Sequence, residues 1–381
     1  MYKKKSIKEL FNFLKKSKIK AGEGLEEGKY PFYTSSNTLS KYLNYYEIED
    51  ESLIFGTGGK ASIHYSEGKF STSTDCYVIQ PKVVDEIDLK YVYYYLSGNM
   101  RILEEGFRGA GLKHISKKYL RTIKIPIPPL QTQKRIVEVL DKAKILIDLR
   151  KKQIELMDRL IKSIFFNKFI QRVDEYKSWD VVEIQDLALK NKDSMRTGPF
   201  GSNLKHSEFV DEGIAVLGID NAVDNVFKWK ERRYITEEKY MELKRYTVFP
   251  DDVLITIMGT TGRSAVVPKD IPKAINTKHL ACITVNKGKV SPYYLSYSIH
   301  SHPYILKQIN LRNKGAIMNG LNLTIIKELK IPLPPIELQK EFGKSYLEIQ
   351  EKKKQFENIL FLLKNNFNSL MQKAFKGELF N

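Results

Sequence analysis

Two stretches of the chain share one apolar rhythm. In the first, Leu140, Ile147, Ile154 and Ile161 recur every seven residues, with Ile136, Ala143, Met157 and Ile164 between them and Arg150 as the one charged interruption. In the second, Phe342, Ile349, Phe356, Leu363 and Leu370 alternate with Tyr346, Leu360 and Phe367, and Lys353 interrupts. Apolar positions alternately three and four apart predict long one-striped helices over 131–170 and 337–376. At ~1.5 Å per residue each is a rod of about 60 Å, and its stripe needs a partner, for which the other rod is the nearest candidate. Each rod follows a proline hinge. Ile125-Pro126-Ile127-Pro128-Pro129-Leu130-Gln131-Thr132-Gln133-Lys134 returns as Ile331-Pro332-Leu333-Pro334-Pro335-Ile336-Glu337-Leu338-Gln339-Lys340, an offset of 206. Proline fixes φ and keeps the residue before it out of the helical region, so a helix starts only after the hinge. Upstream, Gly109-Ala110 matches Gly315-Ala316, Ser116 matches Asn322 and Lys124 matches Lys330, without a gap.

Before each hinge lies a globular part, 1–130 and 171–336. Ser52-Leu53-Ile54-Phe55 and Asp75-Cys76-Tyr77-Val78-Ile79 read as strands among Gly-rich turns, and Asp252-Val253-Leu254-Ile255-Thr256-Ile257 and Ala281-Cys282-Ile283-Thr284-Val285 repeat the plan. Periodicity leaves the run from Tyr91 to Leu96 open between helix and strand. Residues 171–177 are polar and short, a domain boundary. The expected fold is α+β: two mixed α/β domains separated by two long helices, packed as an antiparallel coiled coil, with an internal pseudo-twofold repeat.

Charge narrows the class of partner. The net charge of +18 in 381 residues favours a polyanion, through attraction to phosphates and release of their counterions. It is spread as +6 over 1–130, +5 over 131–170, +5 over 171–336 and +3 over 337–376, so both halves can touch one long anion. No run of eighteen apolar residues could span a membrane, and no apolar signal core follows the basic residues Lys3, Lys4 and Lys5. Two cysteines, Cys76 and Cys282, make neither a disulfide framework nor a four-cysteine zinc site. The expectation is a cytoplasmic, metal-free protein.

Candidate DNA-binding residues sit in Gly-rich or donor-rich segments. Gly259-Thr260-Thr261-Gly262-Arg263 lacks the Gly-Lys-Ser/Thr ending and following helix of a phosphate-binding loop. It reads as a turn that brings Thr260, Thr261 and Arg263 to phosphates or base edges, or as a plain hairpin turn. Gly56-Thr57-Gly58-Gly59-Lys60 is its first-domain counterpart, with Thr57 as a donor and Lys60 where Arg263 falls. Arg196, Ser202, Asn203 and Lys205 share one irregular donor-rich segment. Arg108 and Lys113 precede the first hinge as Arg312 and Lys314 precede the second, where a structural role competes with DNA contact. Tyrosines 91–95 and 293–297 read as core more readily than as base-stacking platforms. Arg150 and Lys353 are expected to snorkel from the seams, with a register-setting polar layer or a docking point as the alternatives.

There is no Gly-rich cofactor loop followed by an Asn/Asp-Pro-Pro-aromatic motif, no Walker loop and no nuclease cluster, which leaves no catalytic residue to name. The two hinges with their helices, with Gly198-Pro199-Phe200-Gly201-Ser202-Asn203-Leu204-Lys205 and Gly259–Arg263, resemble the specificity subunit of type I restriction–modification systems over nearly the whole chain. The first domain lacks the former stretch and offers Gly28-Lys29-Tyr30-Pro31-Phe32-Tyr33 and Gly56–Lys60 instead. The resemblance implies two target recognition domains, each reading half of a bipartite double-stranded DNA site, and helices that set the spacer. It implies two modification subunits docked on the helices, with restriction/translocase subunits joined through them. S-adenosylmethionine, ATP and Mg would belong to those partners, with no cofactor in this chain.

Overall fold

The computed structural model describes residues 2–171, 178–313 and 321–380. Of the residues singled out above, Gly315, Ala316 and Lys314 and most of the 171–177 boundary lie outside them.

The first domain runs β1 (Lys4–Ser6), α1 (Ile7–Leu10), β2 (Phe11–Phe13), β3 (Tyr30–Tyr33), β4 (Tyr42–Leu43), β5 (Ser52–Gly56), β6 (Ser62–Ser66), β7 (Ser71–Thr72), β8 (Cys76–Pro81), α2 (Leu89–Gly98), α3 (Met100–Glu104), β9 (Phe107–Arg108), β10 (His114–Ile115), α4 (Lys117–Thr122) and β11 (Lys124–Pro126). α5 (Leu130–Phe169) follows. The second runs β12 (Val181–Glu183), β13 (Met195–Thr197), β14 (Ile214–Leu217), β15 (Tyr234–Ile235), α6 (Glu237–Leu243), β16 (Val253–Thr256), β17 (Ser264–Val266), β18 (Ala274–Asn276), β19 (Leu280–Ile283), α7 (Pro292–Ser301), α8 (Pro303–Asn313), α9 (Leu323–Glu328) and β20 (Lys330–Pro332). α10 (Ile336–Lys376) completes it.

The two domains have one topology. A four-stranded sheet has the order β2-β8-β5-β6 in the first and β13-β19-β16-β17 in the second. A three-stranded sheet, with one parallel pair, has the order β4-β3-β7 and then β15-β14-β18. The hinge strand pairs antiparallel with the domain's opening strand in both, Lys4 opposite Pro126 and Val181 opposite Pro332.

The tyrosine runs are helices, α2 and α7, and the period of the first is ambiguous because α2 is buried on more than one face. Tyr91 and Tyr294 are fully buried, and each donates its hydroxyl to a hinge carbonyl, Pro126 at 2.8 Å and Pro332 at 2.7 Å. A buried glutamine locks each hinge. The Gln133 side chain accepts from the Asp88 amide at 2.9 Å and donates to the Pro128 carbonyl at 2.9 Å. Gln339 accepts from the Ser291 amide at 2.9 Å and donates to the Pro334 carbonyl at 2.7 Å. Ser116 and Asn322 cap α4 and α9, each accepting from the amide three residues on. Matching residues therefore do matching work.

The chain divides into two compact units, 1–153 with 356–381, and 154–355. In the first, Ile136, Leu140 and Ala374 share the domain's core with Phe367 and Leu370 packed against it, and Ile147 is buried. The Arg150 guanidinium lies 4.5 Å from the centre of the Phe356 ring, with Leu363 half-buried further along α10. In the second unit Ile161, Phe165, Phe169, Phe342 and Ile349 join the core, Ile154 is half-buried, and Lys353 forms an ion pair with Asp158 at 2.5 Å. The seam charges thus find specific partners where snorkelling was expected. A guanidinium on a ring face and a half-buried lysine beside a carboxylate both keep the charge compensated.

Candidate nucleic-acid interface

Strand direction decides which loops can share a surface. β13 and β16 both run antiparallel to β19, so their C-terminal ends lie with the N-terminal end of β19. That end of the sheet carries residues 198–205, 257–263 and 277–279. Gly198 passes so close to the next segment that a Cβ there would lie 2.0 Å from the Asn276 carbonyl oxygen, so only glycine fits. The Ile257 amide donates to the His279 carbonyl at 2.9 Å. The 257–263 turn is closed by Thr256, whose hydroxyl accepts from the Arg263 amide at 2.9 Å and donates to the Thr260 carbonyl. It has Gly259 and Gly262 at φ +71° and +76°, a conformation that suits glycine. The link after β14 starts at the same place, since the Thr277 amide donates to the Leu217 carbonyl at 2.9 Å.

Ser202, Asn203, Lys205, Thr260 and Arg263 are exposed at this end, with Thr261 half-buried. Burial, then Lys278 and Arg233, push the His279 imidazole below its usual range. Burial, then Arg263, push His300 down to about 4.

The first domain repeats the arrangement. The ends of β2, β5 and β3 and the start of β8 bring together residues 14–20, 57–61, 34–41 and 73–75, with the Thr57 amide donating to Asp75 at 2.8 Å and the Ser73 amide to Tyr33 at 2.8 Å. The hairpin of β9 and β10 joins them through a Gly58–His114 bridge and the Gly59 amide on the Lys113 carbonyl at 3.1 Å. Lys60, Arg108 and Lys113 are therefore neighbouring and exposed.

Three expectations need correction. Arg196 is 4% exposed, and its guanidinium is used inside the domain. It donates to Asp252 at 2.6 Å, to the Thr247 carbonyl at 2.5 Å, and to the Thr284 hydroxyl and Asp193 carbonyl at 3.0 Å each. Asp252 also accepts from the Phe249 amide at 2.9 Å and the Cys282 thiol at 3.2 Å. Thr57 is likewise buried, its hydroxyl donating to the Asp75 carbonyl at 3.0 Å. The ladders set Leu53 opposite Tyr65 and Val253 opposite Val266, which makes Ser62, not Lys60, the register equivalent of Arg263. Arg312 is occupied with the Ile325 carbonyl at 3.0 Å and Glu328 at 3.2 Å, which fits its structural reading.

Sequence reasoning missed the exposed lysines 15, 16 and 18, which follow β2 as residues 197–205 follow the start of β13. Their crowding after a strand was the available signal. Among the described residues there is no group of three or more potential metal ligands and no helix long and apolar enough to cross a membrane.

The fold is therefore that of a duplicated, basic recognition protein. A family model for the type I restriction modification DNA specificity domain matches residues 1–157 and 176–355, and the chain belongs to this family. It is 26% identical over 370 residues to the type I restriction enzyme MjaVIII specificity subunit of Methanocaldococcus jannaschii, covering 90% of this chain and 85% of that one. It is 25% identical over 359 residues to the EcoBI specificity subunit of Escherichia coli, covering 88% and 75%. Its fold is similar to the crystal structure of a type I system S subunit from M. genitalium, with a TM-score of 0.66 at 19% identity over 98% of this chain and 96% of that one. A chain from a structural study of complex assembly in the type I system gives a TM-score of 0.57 at 15% identity, over 99% and 98%.

Proposed function

We propose that this chain is the DNA-recognition subunit of a type I restriction–modification complex, each domain reading one half of a bipartite double-stranded site. The observation that carries the reading is two domains of one topology that present unlike exposed donors at the same sheet end. Lys60, Arg108 and Lys113 stand in the first; Ser202, Asn203, Lys205, Thr260 and Arg263 in the second. Lysine and arginine on phosphates supply salt-sensitive affinity, and side-chain pairs on base edges select sequence, at about 1–3 kcal/mol for a good bidentate pair.

In this reading α5 and α10 pack as an antiparallel coiled coil and set the spacer between half-sites. They also dock two modification subunits, through which restriction subunits join. Support comes from apolar side chains outside the seams: Ile145, Leu146, Leu149, Phe361 and Leu362 in the first unit, and Leu156 and Leu160 in the second, are exposed. Methyl transfer, with S-adenosylmethionine, and ATP- and Mg-dependent cleavage belong to those partners. An adenine must leave the stack to be methylated, and a reader that grips both flanks fixes its register for the partner.

The test is the methylome of a host that expresses this chain with its modification subunit, set against a deletion of this chain. A bipartite methyl-adenine motif that disappears with the deletion is expected. An unchanged methylome, with the complex shown to assemble, would overturn the reading.

A further inference from the structure

The link from β3 to β4 in the first domain is held at both ends. Ser35 anchors one foot. Its hydroxyl donates to the Asp75 carbonyl at 2.8 Å and accepts from the Thr57 and Gly58 amides at 3.2 and 3.3 Å. The Ser62 hydroxyl donates to the Ser35 carbonyl at 3.2 Å, and Nε2 of His64 lies 2.7 Å from the Ser36 carbonyl. Lys41 fixes the other foot, donating to the Ala21 carbonyl at 2.7 Å.

Between the feet, the Ser36 and Thr38 hydroxyls lie 3.3 Å apart, one donating to the other. Asn37 stands exposed between them, and among the described residues its carboxamide has no hydrogen-bond partner. No charged side chain lies from Thr34 to Ser40, although lysines 15, 16 and 18 are exposed on the neighbouring segment.

This separation of charge from amide matches the separation of tasks at a DNA surface. An ammonium group grips phosphate without reading sequence, whereas a carboxamide offers the donor and acceptor that pair with N7 and N6 of adenine. We propose that Asn37 is the base-reading residue of the first domain, directed to an adenine edge, and that Lys15, Lys16 and Lys18 hold the adjoining phosphates. The proposal rests on the DNA-recognition reading and adds to it which residue selects. The equivalent link in the second domain, from β14 to β15, is sixteen residues against eight and carries Asp220, Asp224, Lys228, Lys230, Arg232 and Arg233. The same position in the fold thus offers different chemistry to each half-site.

The experiment selects binding sites from a randomised duplex pool with the full chain, as wild type, Asn37→Ala, the Lys15→Ala/Lys16→Ala/Lys18→Ala triple variant and Arg263→Ala. Asn37→Ala is expected to lose about ten- to a hundred-fold discrimination at one base pair of one half-site, with the other half-site unchanged. The triple variant keeps the wild-type motif, binds every sequence more weakly and lowers the salt slope by about two to three. Arg263→Ala acts on the other half-site only. A wild-type motif that Asn37→Ala leaves intact would overturn this proposal alone. A wild-type chain that selects no motif would overturn the DNA-recognition reading as well. Asn37 is exposed on a link held at both feet, so unchanged far-ultraviolet circular dichroism is expected.

Discussion

Truncating Gln339 to alanine tests the claim that a single buried side chain locks each hinge. Gln339 is fully buried and serves three backbone groups: it accepts from the Ser291 amide, donates to the Pro334 carbonyl, and reaches the Lys289 carbonyl at 3.4 Å. Alanine removes both short bonds and leaves the Ser291 amide and the Pro334 carbonyl without partners in a region closed to water. Each orphaned group costs about 1–3 kcal/mol, so the loss is about 2–6 kcal/mol before any cavity is counted. With a urea m-value of about 2 kcal/mol per molar, the midpoint falls by about 1–3 M. The chain supplies its own reporter, because its two tryptophans, Trp179 and Trp229, both lie in the 154–355 unit that contains Gln339. Urea unfolding followed by tryptophan fluorescence therefore reads the unit directly. Gln339→Glu moves the midpoint the same way, since a carboxylate keeps the acceptor but cannot donate to Pro334 and brings a charge into the core. Gln133→Ala releases the Asp88 amide to hydrogen exchange as Gln339→Ala releases that of Ser291. A midpoint within about 0.3 M of wild type for Gln339→Ala would refute the reasoning.

Three further outcomes follow from the same geometry. Arg196→Met strands the buried Asp252 carboxylate and costs about 3–5 kcal/mol in the tryptophan-detected transition, while Arg196→Met/Asp252→Leu recovers much of it; equal midpoints for the single variant and wild type would return Arg196 to the surface candidates. Burial pushes His302 down to about 4, and its Nδ1 accepts from the Tyr304 amide, so the folded chain holds it neutral. The unfolded chain protonates first: stability is fully present above pH ~6.5 and is lost as pH falls from there towards 4, by up to about 1.4 kcal/mol per pH unit. His302→Gln should shrink the drop in urea midpoint between pH 7 and pH 5, and an identical drop would exclude His302 as its source. Leu149→Asp with Leu362→Asp should abolish co-purification of the modification subunit while DNA binding persists; full retention would move the docking surface off this part of the helices.

What could be read from sequence was whatever is local. The seams needed only a heptad count, and Pro129 and Pro335 set the starts of α5 and α10 through their own backbone restraint. Tyr91 and its neighbours stayed open because burial on two faces erases the helical period that a half-exposed helix shows. Arg196 misled because a charged residue in a loop-like segment reads as exposed, and its partner Asp252 lies across the sheet. The lysines after β2 were overlooked because nothing in their sequence resembles the segment after β13; only strand pairing makes the two equivalent.

The register offsets show where the repeat parted company with itself. Lys4 and Val181 are 177 apart, Phe13 and Met195 182, Leu53 and Val253 200, Ile79 and Ile283 204, and Ile125 and Ile331 206. The largest step, between the second and third of these pairs, contains the links after β3 and β14, the first eight residues long and the second sixteen. The strands and hinges hold their geometry because a one-residue slip would turn each buried face outward. Loops at a sheet end carry no such constraint, so insertions collect there. A scaffold that keeps its cores and hinge locks while exchanging the links at one sheet end can change what each half recognises without changing how the halves are held. Extending the 34–41 link by two residues should therefore alter the selected half-site before it alters the urea midpoint, and the reverse order would place the link in the scaffold.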